Sequence, residues 1–276
     1  MVTVCLDAGA ALAETASGVM AQTFPGFEYV IKDGGSSDGS VERLPTDARL
    51  RVIRQPDGGI YDAMNQALAA CRGRYVVFMN AGDRFHADTV LAEVAARAEA
   101  EHWPEFVYTH SWNCRDRTTM RYPPVLSRRF LYLRSLHHQA TFADRECLRR
   151  LGGFDAARFR IFADHDLLVR AVVGQGARAV LCPVIGCDYE GAGFSTLAVN
   201  RRRLAAERKA IQKANFTRRE RWVWDFGRAL TLPGLRVALF RHGGERWKRI
   251  YLRLVRVVRG VDDRGSNQHQ TKKDDE

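Results

Sequence analysis

Six aspartates in this chain stand where a carboxylate can do chemistry. Asp7, Asp33, Asp57 and Asp83 each follow a short apolar run, and Asp164 and Asp166 open a helical apolar pattern. A carboxylate fixed at a strand end offers two acceptor oxygens to the imide N–H of a nucleobase, to ribose hydroxyls or to a divalent cation. At the start of a helix its charged form is favoured by unpaired backbone N–H groups, and within reach of a hydroxyl it takes a proton. Asp33 is the most telling position. The run Tyr29-Val30-Ile31-Lys32 ends there, and Gly34-Gly35-Ser36-Ser37-Asp38-Gly39-Ser40 follows, with Val41 and Leu44 as the expected start of a helix. Glycines in such a loop let backbone come close to a ligand. The same residues also suit a tight turn with Ser37 or Asp38 as N-cap, and Asp164 and Asp166 each suit a cap too.

The elements around these residues favour a site. Val2–Leu6 predicts a strand ending at Asp7, and Leu12, Ala16, Val19 and Met20 recur at helical spacing. Arg51–Gln55 predicts a strand ended by Pro56-Asp57-Gly58-Gly59. Ile60, Ala63, Met64, Ala67, Leu68 and Cys71 form a helix stripe, and Tyr75–Met79 predicts a strand buried on both faces that leads to Asn80-Ala81-Gly82-Asp83. A helix over 88–100 and a strand at 106–109 complete the series. Alternation of this kind predicts an α/β fold with a mostly parallel sheet and covered faces. Right-handed crossovers then carry all four strand-end acids to one edge. Residues 113–136 predict a partly helical excursion and 136–142 an extended return. Asp164 or Asp166 starts a helix, 178–182 predicts a strand, and a Gly-rich loop at 189–195 precedes a basic helix over 197–213.

At 276 residues with a net charge of +11, the chain is long enough for one large domain with an appendage. The charge is uneven: residues 201–276 hold 21 of the 43 Lys and Arg and 9 of the 32 Asp and Glu, whereas residues before 201 are nearly neutral. That asymmetry points to a membrane surface or a polyanion as partner of the last quarter. There Trp247, Ile250, Tyr251, Leu254, Val257 and Val258 form an apolar stripe flanked by arginines. It suits the headgroup region of an anionic bilayer or a terminal helix packed on its own domain. The six cysteines show neither Cys-x-x-Cys nor zinc spacing and read as reduced thiols. With no leader pattern and no uncharged run of membrane-spanning length, the expectation is a cytoplasmic protein, peripheral at the inner face of the cell membrane.

The ordered motifs resemble the family 2 glycosyltransferases. These motifs are Gln22-Thr23-Phe24, Asp33 to Gly39, Pro56-Asp57-Gly58-Gly59-Ile60-Tyr61-Asp62-Ala63-Met64-Asn65, Met79 to Asp83, His138-Gln139-Ala140-Thr141, Gly152-Gly153-Phe154-Asp155 and Ala163 to Leu168. The resemblance covers roughly residues 2–210 and is nearest to bacterial exopolysaccharide and lipopolysaccharide enzymes. It implies a GT-A (Rossmann-like) domain over 1–213, and a basic amphipathic extension over 214–261 and a disordered tail over 262–276 complete the expected organisation. It implies inverting transfer from a nucleotide-diphosphate sugar, UDP by default, to a saccharide or lipid-linked acceptor, with Mg²⁺ or Mn²⁺ as cofactor. Carried over by position, Asp33, Gly34, Gly35, Asp57 and Asp7 would hold the nucleotide and Asp83 the ion. Asp164 would be the general base, with Asp166 its rival, and His138, Gly193 and Ser195 would lie near the diphosphate or acceptor.

Two departures stand out. The usual Asp-x-Asp-Asp reads Asn80-Ala81-Gly82-Asp83, which leaves one carboxylate for the ion, and Ala163 replaces the acid that commonly precedes the base. Mg²⁺ is often held by one or two carboxylates plus substrate phosphates, so the first is compatible with an ion. A nucleotidyltransferase would show a basic Gly-rich loop after the first strand, which Asp7-Ala8-Gly9-Ala10-Ala11 is not. A dinucleotide-binding dehydrogenase would need Gly-x-Gly-x-x-Gly there. No recognised nucleic-acid motif accompanies the basic quarter, so no nucleic acid is expected as partner.

Overall fold

The computed structural model describes residues 1–190 and 198–230. The chain divides into two units, Met1–Ile211 and Gln212–Glu276. In the first, strands β1 (Val2–Cys5), β2 (Tyr29–Asp33) and β3 (Leu50–Arg54) pair in parallel in the order β1-β2-β3. Helix α1 (Ala10–Met20) follows β1, and α2 (Ile60–Ala70) packs on β1 and β2. α2 turns Tyr61, Ala63, Met64, Ala67 and Leu68 inward, the face its apolar spacing predicts. The run 75–79 lies beside β1: Val2 donates to the Val77 carbonyl at 3.0 Å and accepts from Met79 at 2.9 Å, with a parallel bridge to Phe78. Four mutually parallel segments therefore end at one edge, and Asp7, Asp33, Asp57 and Asp83 follow those ends.

The second half of the sheet is mixed. Strands β4 (Tyr75–Val76), β8 (Thr141–Asp144), β6 (Phe106–Asn113), β9 (Ala179–Tyr189) and β5 (Arg84–Phe85) lie in that order, and β7 (Thr118–Met120) pairs with β6. β6 and β9 are parallel, while β8 is antiparallel to both β4 and β6. The expected parallel character thus holds from β3 to β4 and again at β6–β9. β6 and β9 outrun the predicted strands, because Gly186 sits where a side chain would collide with Thr109 and lets β9 continue past an irregularity in its register. The excursion at 113–136 contains β7 and the short α4 (Arg128–Leu133), capped by the Ser127 hydroxyl on Phe130 N–H at 3.0 Å. The helix expected from Val41 does not form. Residues 40–43 are turns, since Pro45 stops the run after a few residues.

Helix α3 (Val90–Ala100) belongs to the mixed half, and α5 (Arg145–Arg150) and α6 (Ala163–Val169) lead to and from the loop 151–162. α7 (Arg201–Asn215) begins four residues after the expected start. The Gly191–Ser195 loop, including Gly193 and Ser195, the stripe from Trp247 and the tail 262–276 lie outside the described residues.

Glu207 of α7 is buried and accepts the backbone N–H groups of Arg160, Ile161 and Phe162 at 3.1, 3.0 and 3.0 Å. These three donors precede α6 and would otherwise be left unpaired. Glu207→Ala is therefore expected to lower unfolding free energy by about 2–3 kcal/mol. An unchanged urea midpoint would show that water replaces the carboxylate.

Candidate active site

The parallel edge is built as a chain of polar contacts. Asp7 accepts the Ser37 N–H at 2.8 Å, and its own N–H donates to Ser36 Oγ at 2.9 Å, tying the end of β1 to the Gly-rich loop. Asp33 is fully buried. Ser36 donates to it from N–H and hydroxyl at 3.0 and 2.5 Å, and Arg54 Nε sits 2.9 Å from its other oxygen. Burial pushes the Asp33 carboxyl up, but the Ser36 bonds, the Gly35 N–H and the Arg54 charge outweigh it and leave it below its ordinary value. So Asp33 does not stand open with two free oxygens: Ser36 reaches both, and Arg54 adds a second contact to one. Arg54 itself is 48% exposed on its side chain.

Asp57 lies 2.9 Å from Lys32 Nζ, which is fully buried and also donates to the carbonyls of Asp33 and Gln55. A Cβ on Gly34 would come within 2.9 Å of Asp57 Oδ2, and Gly35 has φ +106°, so neither position accepts a side chain without strain.

Beyond these lies a cleft of about 630 Å³ lined by residues from both halves of the first unit, among them Tyr61, Asn80, Asp83, His138, Asp164 and Glu190. Asp83 is buried. Gln139 Nε2 donates to its Oδ2 at 2.6 Å, and Thr15 Oγ1 holds its backbone carbonyl at 2.8 Å. Burial raises its carboxyl above the ordinary value despite the bond from Gln139 and the nearness of His138. Asp164 accepts from Tyr61 Oη at 3.1 Å and from the His165 N–H at 2.8 Å, and its Oδ2 lies 3.3 Å from His138 Nδ1. Here burial pushes upward, yet the contacts from His138 and His165 prevail and hold Asp164 below the usual carboxylate range. Tyr61, buried beside that charge, is raised well above its ordinary value and stays a donor.

Asp166 sits elsewhere. It is buried against Arg170 at 2.7 Å, and that guanidinium also donates to the Leu151 and Gly153 carbonyls. The two aspartates are separated as a two-residue step on a helix requires, about 200°. The cleft receives Asp164, and the interior clasp receives Asp166.

Sequence reasoning gave no role to Gln139, Tyr61 or Glu190, although all three fall inside the motifs it singled out or beside them. Tyr61 and Asn65 share one face of α2 one turn apart. Asn65 both donates to the Phe154 carbonyl at 2.8 Å and accepts its N–H at 2.9 Å, so α2 positions the segment that carries Asp164.

Among the described residues no group of three or more His, Cys, Asp or Glu is arranged to hold a metal ion. The donors at the cleft nevertheless suit a hard cation that takes most of its ligands from phosphate. Asp83 is a carboxylate, Glu190 lies beside it, and Asn80 Oδ1 is buried without a hydrogen-bond partner among the described residues.

A parallel half-sheet with acids at its carboxyl edge, completed by mixed strands around a cleft, is the frame of a GT-A glycosyltransferase. The family model for glycosyl transferase family 2 matches residues 1–151, and the chain belongs to that family, whose members are inverting enzymes. A Mycobacterium tuberculosis PGL/p-HBAD biosynthesis glycosyltransferase is 30% identical over 203 residues, covering 71% of this chain and 78% of its own. A second, uncharacterized glycosyltransferase of that species is 32% identical over 194 residues, covering 66% and 71%. Among solved structures, S. aureus TarS in complex with UDP-GlcNAc superposes with a TM-score of 0.60 at 18% identity, over 76% of this chain and 64% of that one. The mannosyltransferase PcManGT of Pyrobaculum calidifontis, in complex with GDP-Man and Mn²⁺, gives 0.59 at 18%, over 95% and 86%. These two share the GT-A fold with this chain.

No described helix is long and apolar enough to cross a membrane.

Neutralising the buried Asp166 leaves the half-buried Arg170 guanidinium without its counter-charge. Asp166→Asn should therefore destabilise the fold, by about 1–3 kcal/mol, while the folded fraction turns over near the wild-type rate. Loss of turnover with an unchanged melting temperature would place Asp166 in the chemistry.

Proposed function

We propose that this enzyme transfers a sugar from a nucleotide-diphosphate donor, UDP by default, to an acceptor hydroxyl of a lipid-linked saccharide by single displacement, with Asp164 as the general base. One observation carries the reading: His138 and Gln139, consecutive in the chain, hold Asp164 and Asp83 at the same cleft. The neighbours' complexes with UDP-GlcNAc and GDP-Man support the donor class, and the relatives' naming for PGL/p-HBAD biosynthesis supports a biosynthetic glycosylation. The basic last quarter supports work at an anionic membrane.

In this scheme Asp164, ionised and aimed by Tyr61, His138 and the His165 N–H, takes the proton of the attacking hydroxyl. The hydroxyl approaches opposite the departing diphosphate, so the anomeric centre inverts through an oxocarbenium-like transition state. Asp83 and Asn80 would hold Mg²⁺ or Mn²⁺, with Glu190 beside them; when bound, the ion neutralises charge on the leaving diphosphate. With Nδ1 turned to Asp164, His138 presents Nε2, buried and unpartnered among the described residues, to the diphosphate side. The nucleobase reaches Asp33 by displacing the half-exposed Arg54, while Asp57, Asp7 and the Gly34-Gly35 backbone shape the ribose side.

Asp164→Asn should cut turnover by about 10²–10⁴-fold with nucleotide affinity retained. Unaltered turnover would remove Asp164 from the chemistry. The pH dependence has a definite sign. A carboxyl lowered by folding stabilises the fold above its unfolded value of about 3.9, and that stability is lost as pH falls through the lower folded value. The acid limb of turnover set by Asp164 therefore lies below about pH 4, and a limb near neutrality would assign the proton to a histidine.

A thermal-shift panel of UDP, GDP and dTDP with Mn²⁺ should raise the melting temperature for the cognate diphosphate. Asp83→Asn should erase the part of that shift that depends on the ion. Full activity in excess EDTA would mark a metal-free site instead.

A further inference from the structure

The second unit carries a surface to which the transfer scheme above gives no role. Helix α8 (Arg218–Leu230) is anchored at its start by a reciprocal cap. The Thr217 hydroxyl accepts the Glu220 N–H at 3.2 Å, and the Glu220 carboxylate accepts the Thr217 N–H at 2.8 Å. Inward, Trp224 meets Phe216 edge-on at 5.8 Å, Gly227 is buried, and the Arg221 guanidinium caps the Lys213 carbonyl at 3.0 Å.

The opposite side is unlike an ordinary solvated helix face. At about 100° per residue, Arg218, Trp222, Phe226, Arg219 and Val223 fall within one arc of about 140°. Trp222 is 68% exposed, Phe226 49% and Val223 42%. The Trp222 and Phe226 rings stack at 5.6 Å, only 4° from parallel, so the apolar bulk is held as one block rather than scattered. Both arginines on the arc are exposed. Of the acids of α8, Glu220 lies on the far side and Asp225 only at the margin beside Arg218. Three large apolar side chains exposed side by side and rimmed by arginines mark a contact surface rather than scattered exposure.

We propose that this arc of α8 docks on an anionic lipid bilayer, with Trp222, Phe226 and Val223 in the headgroup region and Arg218 and Arg219 on lipid phosphates. The proposal rests on the membrane setting inferred above for the acceptor, names the surface responsible, and asks nothing of the transfer chemistry. Charge complementarity selects this occupant: the last quarter of the chain has a large basic excess, and each arginine near an anionic leaflet adds to binding. Nucleic acid is the weaker match. Bases stack on aromatic faces, and Trp222 and Phe226 each spend one face on the other, whereas a bilayer takes up their apolar edges and bulk.

The test is sedimentation of the full chain with vesicles of phosphatidylglycerol and phosphatidylcholine in equal parts, against phosphatidylcholine alone and against an RNA oligonucleotide. Wild type should bind only the anionic vesicles, and less as salt rises. Arg218→Ala with Arg219→Ala should weaken partition about thirtyfold, and Trp222→Ser with Phe226→Ser at least about tenfold. Hydrolysis of a soluble donor and the melting temperature should stay unchanged in both, because these side chains face solvent. If both variants sediment like wild type, α8 is not the surface although the membrane setting stands. Wild-type protein that ignores both vesicles, or prefers the RNA, overturns the docking and the membrane setting together, and donor hydrolysis in the same samples reports separately on the enzyme.

Discussion

His138 and Gln139 leave the backbone one residue apart, and each holds a different carboxylate: Asp164 from the segment before α6, Asp83 from the loop after the 75–79 run. That pair of contacts ties the two segments to one turn at the cleft. The turn can do this because β8, which it precedes, runs antiparallel to β4 and β6. An antiparallel strand begins at the edge where its parallel neighbours end. The start of β8 therefore lies at the carboxyl edge of the sheet, where the strand-end acids already are. A parallel β8 would have delivered the same two residues to the opposite edge. The two carboxyls also shift in opposite directions for a physical reason. Asp164 gains enough donors to overcome burial, whereas Asp83 has fewer, and burial prevails. A carboxyl raised by burial is one that a cation would stabilise in its charged form.

On the other side of β1, a buried cation performs a similar duty. An unpaired ammonium in the interior would cost several kcal/mol, so Lys32 is tolerable only because Asp57 and the carbonyls of Asp33 and Gln55 surround it. Those acceptors belong to the loops after β2 and β3, which Lys32 thereby locks to each other. The Gly34 backbone then lies against Asp57, and no side chain fits between. Rigidity at this corner comes from charge pairing and close approach together.

The helix α2 supplies the third constraint. Tyr61 and Asn65 reach across to the backbone and side chains of residues 153–164, a span far away in sequence, and they do so from one helical face. Phe154 packs under this contact, 5.5 Å from the Tyr61 ring and 5.2 Å from that of Phe78. The motif Gly152-Gly153-Phe154-Asp155 is thus a backbone docking site for Asn65 as much as a turn. Its importance lies in where it leaves Asp164.

The sequence by itself determined the alternation of strand and helix, the common edge of Asp7, Asp33, Asp57 and Asp83, and the family. These follow from local period and from the ordering of short motifs, both of which survive in one dimension. It also separated Asp164 from Asp166, because two residues on a helix must diverge whatever surrounds them. The structure alone decided the reach of β6 and β9, the absence of a helix after Val41, and the antiparallel course of β8, since strand direction is set by pairing between distant segments. It alone showed that Asp33 is closed by Ser36 and Arg54, and that Gln139 and Tyr61 position Asp83 and Asp164 at the cleft. Neither has a signature of its own in the chain: a glutamine and a tyrosine acquire those roles only when residues far apart in sequence are brought within hydrogen-bond distance.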